Sequence, residues 1–454
     1  MLQPTPRSRP PGPPGIPFSG HSWHFIRDPL RFLTETARKY GDVALIRLGG
    51  TDVYFVSEAD LVRDVFNTYR TRFEISTLRS RLEVVLGKGL LTSRGELHAR
   101  QRRLIQPAFR KSMIDSYAGQ MAEFAEAQCA PWVPGGEVDV SSEMMLLTMK
   151  VAAKSLFNHE VGGRDSDRVA RNLALLLEYF SGMMSPFLYM SLKLPLPRTL
   201  RFRRALRELD ELIYGMIEHR KRHPTGGSDL LTLLMQARDA ESGGTMDDKQ
   251  LRDELLTLFA AGHETTANVL AWTIFLLSRH PAEQEKLHAE VQAVMAGRTR
   301  VTQADVGKFT YARQVITEVL RIYPSVWFVG RNALEDVPLG AYTVPKGANV
   351  LLSQWVVHHQ ERYFPEAERF RPERWTPQFM ETLPRGAYFP FSSGERHCVG
   401  ENFAWLETVL ALATLVARWR FDDVPGQGIV PKPSVTLRPN KGIRVRAFRR
   451  SQGV

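Results

Sequence analysis

The chain has 454 residues, 43% of them apolar and 24% charged, with a formal net charge of +11. That balance belongs to a folded globular protein. No apolar run nears the ~20 residues needed to cross a bilayer, and the basic residues form no aromatic-laced stripe of the kind nucleic acid demands. Two distant cysteines, Cys129 and Cys398, make no disulfide framework and suit a reducing, cytoplasmic setting.

Residues 1–19 are rich in proline and lack an apolar segment, so they predict an extended, poorly ordered start rather than a signal peptide. Residues 20–454 show no linker or repeat and read as one domain. Apolar runs at 43–47 and 53–56 around Gly49-Gly50 predict a hairpin. Helical spacing follows at 58–69, 95–107, 112–129, 142–157, 167–184 and 200–222. Between the last two lies an apolar, proline-bearing connector, 185–197, fit to be a lid. A very long helical pattern, 247–278, stops at His280-Pro281 and is followed by helices at 281–295 and 310–323. Residues 342–352 read as β around Pro345-Lys-Gly347, 361–391 as a long functional loop, 401–419 as a helix and 436–448 as a closing hairpin. The fold class is mainly α with a minor β part.

Two segments carry chemistry. Ala261-Gly262-His263-Glu264-Thr265-Thr266 sits inside the long helix. A glycine there costs about 1 kcal/mol against alanine, which suggests a local opening for a small ligand. His263-Glu264 fails as a zinc-protease helix, because Ala267 stands where the second histidine belongs. Phe391-Ser-Ser-Gly394-Glu-Arg396-His-Cys398-Val-Gly400 precedes the helix at 401. A cysteine at a helix mouth is placed to serve as a thiolate metal ligand. A third pattern, Glu318-Val-Leu-Arg321, pairs an acid and a base at i, i+3.

The cysteine segment resembles the haem-ligand signature of the cytochrome P450 family of haem-thiolate monooxygenases, and the chain follows that family over essentially residues 20–450. The resemblance implies the cytochrome P450 fold, with haem b between the long central helix and the cysteine-loop helix. Cys398 would be the axial iron ligand, its thiolate favouring O–O cleavage. Glu264 and Thr265 would form the catalytic acid–alcohol pair, Thr265 holding dioxygen and its water and Glu264 relaying protons. His98, Arg102, Ala261, Gly262, Arg331, Phe391, Gly394, Arg396 and Gly400 would contact the haem. His98, Arg102, Arg331 and Arg396 would serve its propionates. Glu318, Arg321 and Arg374 would form a buried structural triad; Trp375 stands where the family usually has Phe, a conservative departure.

By the same resemblance, Leu82, Val85, Leu86, Met183, Phe187, Leu188, Phe259, Val326, Trp327, Phe328 and Val435 would line an apolar substrate pocket. The implied reaction inserts one oxygen atom of O2 into a fatty acid, terpenoid, steroid or polyketide. Electrons would come from NAD(P)H through a separate reductase and a ferredoxin or flavodoxin, since the chain ends at Val454 with no flavin or iron–sulfur module. Arg100, Arg103 and Lys111 are a candidate positive face for that donor. A peroxide-using or hydroperoxide-rearranging enzyme and a non-catalytic haem sensor or carrier are the alternatives. The intact Glu264-Thr265 pair speaks against both. With the proline-rich start preceded by no anchor, the expectation is a soluble, cytoplasmic, bacterial-type monomer.

Overall fold

The computed structural model describes residues 9–16, 19–76, 82–157, 172, 175–176, 179, 194–224 and 229–450. Helices form its body. The central helix, Asp248–Arg279, starts where Asp247 accepts the N–H of Gln250 and ends ahead of Pro281, whose ring cannot continue it. Apolar side chains cover most of its circumference, because helices pack on it from several sides: Val140–Phe157, Pro197–Arg222, Thr310–Ile322 and the cysteine helix Glu401–Arg418. The largest core runs between the central and cysteine helices, through Leu270, Trp272, Val409 and Leu412. A second core, with Leu104, Phe202, Leu255 and Phe259, lies under the N-terminal half of the central helix.

A smaller β part stands to one side. Its strands are β1 (Val43–Leu48), β2 (Thr51–Val56), β3 (Phe73–Ile75), β4 (Gly136–Asp139), β5 (Val329–Ala333), β6 (Val337–Leu339), β7 (Tyr342–Val344), β8 (Asn349–Leu352), β9 (Trp419–Asp423), β10 (Pro431–Pro433), β11 (Leu437–Pro439) and β12 (Arg444–Arg449). The main sheet has the order β1-β2-β8-β5-β3, with β2 parallel to β8. Its register sets Arg331 across from Val350 on one side and Ile75 on the other. Part of the proline-rich start lies along this sheet: Pro11 accepts the N–H of Leu45 (2.9 Å) and Pro13 the ring nitrogen of His21 (2.9 Å).

Several local expectations change. The 58–69 pattern is a helix, Ala59–Arg63, followed by a wider π turn, Asp64–Thr68. The 112–129 pattern breaks at Tyr117 into Lys111–Ser116 and Ala118–Cys129. No closing hairpin forms at 436–448: β11 pairs with β10, while β12 lies between β4 and β9. At Gly442 a Cβ would fall 2.4 Å from Asp139 Oδ2, so the chain enters β12 close against β4. Helices Ser22–Arg27, Pro29–Tyr40 and Leu230–Gln236 are additions; Asp28 and Asp229 cap the latter two by accepting backbone N–H groups. Most of the connector 185–197 and of 167–184 lies outside the described residues, and with it Met183, Phe187 and Leu188.

Candidate active site

The cysteine loop is held from several directions. The N–H of Cys398 donates to Phe391 O (3.0 Å), Arg102 donates to His397 O (2.8 Å), and Arg396 donates to Ser93 O (2.8 Å) and Leu90 O (3.4 Å). Gly394 has φ +68°, and a Cβ there would lie 2.2 Å from Phe66 O, so the turn takes only glycine. Cys398 is exposed, but to an internal cavity that its side chain lines. Burial pushes its thiol up to about 11, against the lowering effects of the Gly400 N–H and Arg102. A coordinated cation overturns that preference, since a coordinating thiol is deprotonated outright.

The cavity has a volume of about 280 Å³. Phe391, Arg396, Cys398 and Gly400 line it at the cysteine loop, and Ala261, Gly262, Thr265, Thr266 and Val269 along the central helix. A Cβ on Gly262 would meet nothing within 4 Å, so the helix presents an open face there. Leu91, Ala152, Leu156, Leu230, Leu258 and Val326 add apolar wall. Of the other residues expected in the pocket, Val85, Leu86 and Phe259 are core, with Leu82 and Val435 packed against them. Trp327 and Phe328 meet edge to face and both pack on Phe25, and Trp327 donates to Ser434 O. None of these seven lines the cavity. Ala152 and Leu156 were missed because an i, i+4 apolar pair facing a cavity looks the same in sequence as one facing a core.

Beside this cavity His98 is buried, and its imidazole is held down to about 3, first by burial and then by the positive charges of Arg396, Arg102 and Arg331. Every charge acting on it is cationic. A neutral imidazole among three guanidiniums is a donor set made for carboxylates. Together with a cavity-facing thiol and a wall opened by Gly262, it fits an iron porphyrin with two propionates.

The acid–alcohol pair is divided between two environments. Thr265 lines the cavity and donates to Ala261 O (2.7 Å). Glu264 is buried and faces away, its Oε1 accepting from Thr436 Oγ1 (2.8 Å), which also accepts from Asn268 (3.2 Å). His263 is buried, bonded to Phe259 O (2.9 Å), and burial lowers its pKa. Sequence reasoning passed over Glu407 on the cysteine helix. It is buried, one carboxyl oxygen lacks a hydrogen-bond partner, and burial raises its pKa well above the ordinary carboxylate range, with Thr266 bonding to it as a lesser, opposing effect.

Glu318 draws the triad together. It accepts from Arg321 Nε (2.9 Å) and Nη2 (2.9 Å), Arg374 Nε (3.0 Å) and the N–H of Arg371 (3.0 Å). Trp375 Nε1 donates to the same carboxylate (2.8 Å). Trp375 is therefore no conservative stand-in for phenylalanine, which has no such donor. From Arg321 the network reaches His358 O (3.0 Å), and His358 Nε2 accepts the N–H of Phe389 (3.0 Å), just ahead of the cysteine loop.

The candidate positive face looks different in the fold. Arg103 pairs with Asp239 (2.9 Å) and Glu241 (2.9 Å), and Lys111 with Asp115 (2.7 Å). Arg100 donates to Thr245 O (2.8 Å). Much of their charge is matched within the chain. No helix among the described residues is long and apolar enough to cross a membrane.

Comparison with known proteins places this geometry. The family described as Cytochrome P450 matches residues 10–447. Cyclooctatin synthase of Streptomyces melanosporofaciens is 37% identical, covering 94% of this chain and 92% of its own. Cyclooctat-9-en-7-ol 5-monooxygenase of the same organism is 37% identical over 91% and 90%. Pentalenene oxygenase of Streptomyces avermitilis is 32% identical over 97% of each. Among solved structures, the cytochrome P450DA heme domain superposes with a TM-score of 0.88 at 26% identity, covering 98% of both chains.

Proposed function

The chain belongs to the cytochrome P450 family and is a monooxygenase, and on that premise we propose that it hydroxylates a terpenoid. The carrying observation is the apolar cavity that Cys398 and Thr265 share, lined by Leu91, Ala152, Leu156, Leu230, Leu258 and Val326. It offers hydrophobic surface and few fixed polar contacts, which suits a compact hydrocarbon skeleton. Two relatives are named for cyclooctat-9-en-7-ol and pentalenene, and support the terpenoid class over fatty acids, steroids and polyketides.

The overall change is R–H + O2 + two electrons + two protons → R–OH + H2O. Cys398 would hold haem b, with His98, Arg102, Arg331 and Arg396 to receive its propionates, and the bound group would supply the activation of dioxygen. The chain's own residues do the rest. The apolar walls desolvate the substrate and fix which C–H bond is presented. Thr265 sets a hydroxyl on the cavity wall, able to accept and donate a proton there. Glu264, bonded to Thr436 on the far side of the helix, carries protons between that polar seam and the cavity by rotating its side chain. The electrons come from NAD(P)H through a separate reductase and a ferredoxin or flavodoxin.

The test is turnover of the haem-loaded protein with a ferredoxin, its reductase and NADPH on a panel of cyclic terpenes, fatty acids, steroids and macrolides. We expect a substrate-induced spin-state shift and a product heavier by one oxygen with terpenes alone. Turnover confined to another class would refute the substrate assignment.

A further inference from the structure

Residues 87–93 form a short loop after helix Glu83–Leu86, and the central helix holds it by its backbone. Lys88 N–H donates to Asp253 Oδ2 (2.9 Å) and Leu90 N–H to Glu254 Oε2 (2.8 Å). Arg252 donates to Val85 O (2.9 Å), and Gln101 to Lys88 O (2.6 Å). The fit is close: a Cβ on Gly87 would lie 2.1 Å from Asp253 Oδ1, and one on Gly89 2.2 Å from Thr257 Oγ1. On its other side the loop receives Arg396 at Leu90 O and Ser93 O. Leu91, next to the Leu90 that Glu254 holds, lines the cavity.

Glu254 is the buried member of this seam. It is fully inaccessible, and its Oε1 has no partner; Thr257 Oγ1 and Gln101 Oε1, polar atoms bordering the same loop, have none either. Leaving such groups unpaired in the interior is costly unless they are neutral or reach water. We propose that Glu254 is a positioning residue for the hydroxylation: by holding Leu90 it seats Leu91 against the substrate. The proposal rests on the cavity being the substrate site.

The seam also gives the positioning a pH dependence. Burial first, then the charge of Asp253, lifts the Glu254 carboxyl to about 8, with the Leu90 N–H pulling the other way. Other charged groups surround it. Lys249 (3.0 Å) and Arg252 (2.9 Å) pair with Asp253, and Asp210 of the helix Pro197–Arg222 pairs with Arg252. Lys88 lies on the loop, and His98 and Arg102 on the helix Gly95–Ile105. His98, held near 3, does not titrate in this range. As pH rises past 8, the carboxylate ionises, draws water into the seam and loosens the loop.

The test is optical titration of the ferric holoenzyme from pH 6 to 9 with two iron-binding probes: imidazole and the bulkier 4-phenylimidazole. The affinity ratio of the two removes their common response to iron and to their own titration. In the wild type, the preference for 4-phenylimidazole should fall several-fold across pH 8. In Glu254→Gln, which keeps an acceptor for Leu90 but cannot ionise, the preference should stay level. Leu91→Ala, which leaves the seam whole, should also flatten it. An identical pH profile in wild type and Glu254→Gln, with both probes binding, would overturn the latch alone. Failure of either probe to perturb the haem spectrum would overturn the cavity assignment together with it.

Discussion

Glu318 accepts five hydrogen bonds: two from Arg321 on its own helix, Thr310–Ile322, and three from Arg371, Arg374 and Trp375, which tether that one stretch of loop to the helix. Removing the acceptor in Glu318→Ala strands Arg321, which is fully buried, and should destabilise the fold by about 3–5 kcal/mol. Denaturant unfolding checks this; a loss below about 1 kcal/mol would contradict it. Trp375→Phe removes one donor to a charged acceptor and should cost about 1.5–3 kcal/mol. Phe introduced without loss would mean the indole bond is idle. At this scale the sequence was informative wherever a motif is contiguous. The cysteine segment is distinctive in itself, whereas Glu318-Val-Leu-Arg321 shows by spacing only an acid–base pair on one helix face, and its burial with Arg374 came from the family resemblance. Trp375 did not, because a motif read as aromatic packing hides a hydrogen-bond donor. Glu407 did not either, because an acid within a helix reads as solvent-facing until its neighbours are known.

Among elements, the central helix and the loops pressed on it decide the site. Gly89 lies where a Cβ would be 2.6 Å from Asp253 O and 2.2 Å from Thr257 Oγ1. Gly89→Ala must push the loop off the helix, and strain of that kind costs roughly 1–3 kcal/mol. Since Arg396 donates to the same loop, the variant should also lose haem faster to apomyoglobin than wild type. Unchanged haem transfer would show that the loop does not brace the cysteine segment. Long helices with strong period and a proline stop, such as Asp248–Arg279 and Pro281–Met295, were legible almost to the residue. The strands near the C-terminus were not. Their partners lie far away in sequence, β12 meeting β4 across some three hundred residues, and local alternation cannot tell a hairpin from two strands bound for different sheets. The cavity walls were legible only in part, since Val326 lines it while Trp327 and Phe328 turn toward Phe25.

For the whole molecule, buried titratable groups set how stability responds to pH. Glu254 has an ordinary value of 4.5, lifted to about 8 in the fold. Between those values the folded protein keeps a proton that the unfolded chain gives up. The stability that Glu254 contributes is therefore fully present below 4.5 and lost as pH rises through 8, an effect of roughly 5 kcal/mol at most. Glu254→Gln should melt above wild type at pH 8 by more than at pH 5, and calorimetry of the holoenzyme reads the difference. A constant gap would contradict the assignment. The central claim is that Cys398 is the thiolate ligand of a haem monooxygenase. Its most direct test is the absorption spectrum of the reduced, carbon-monoxide-bound protein, wild type and Cys398→Ser. A strongly red-shifted Soret band that disappears in the variant is the predicted result. A band at the position typical of histidine-ligated haem in the wild type, or one unchanged by the substitution, would contradict the account.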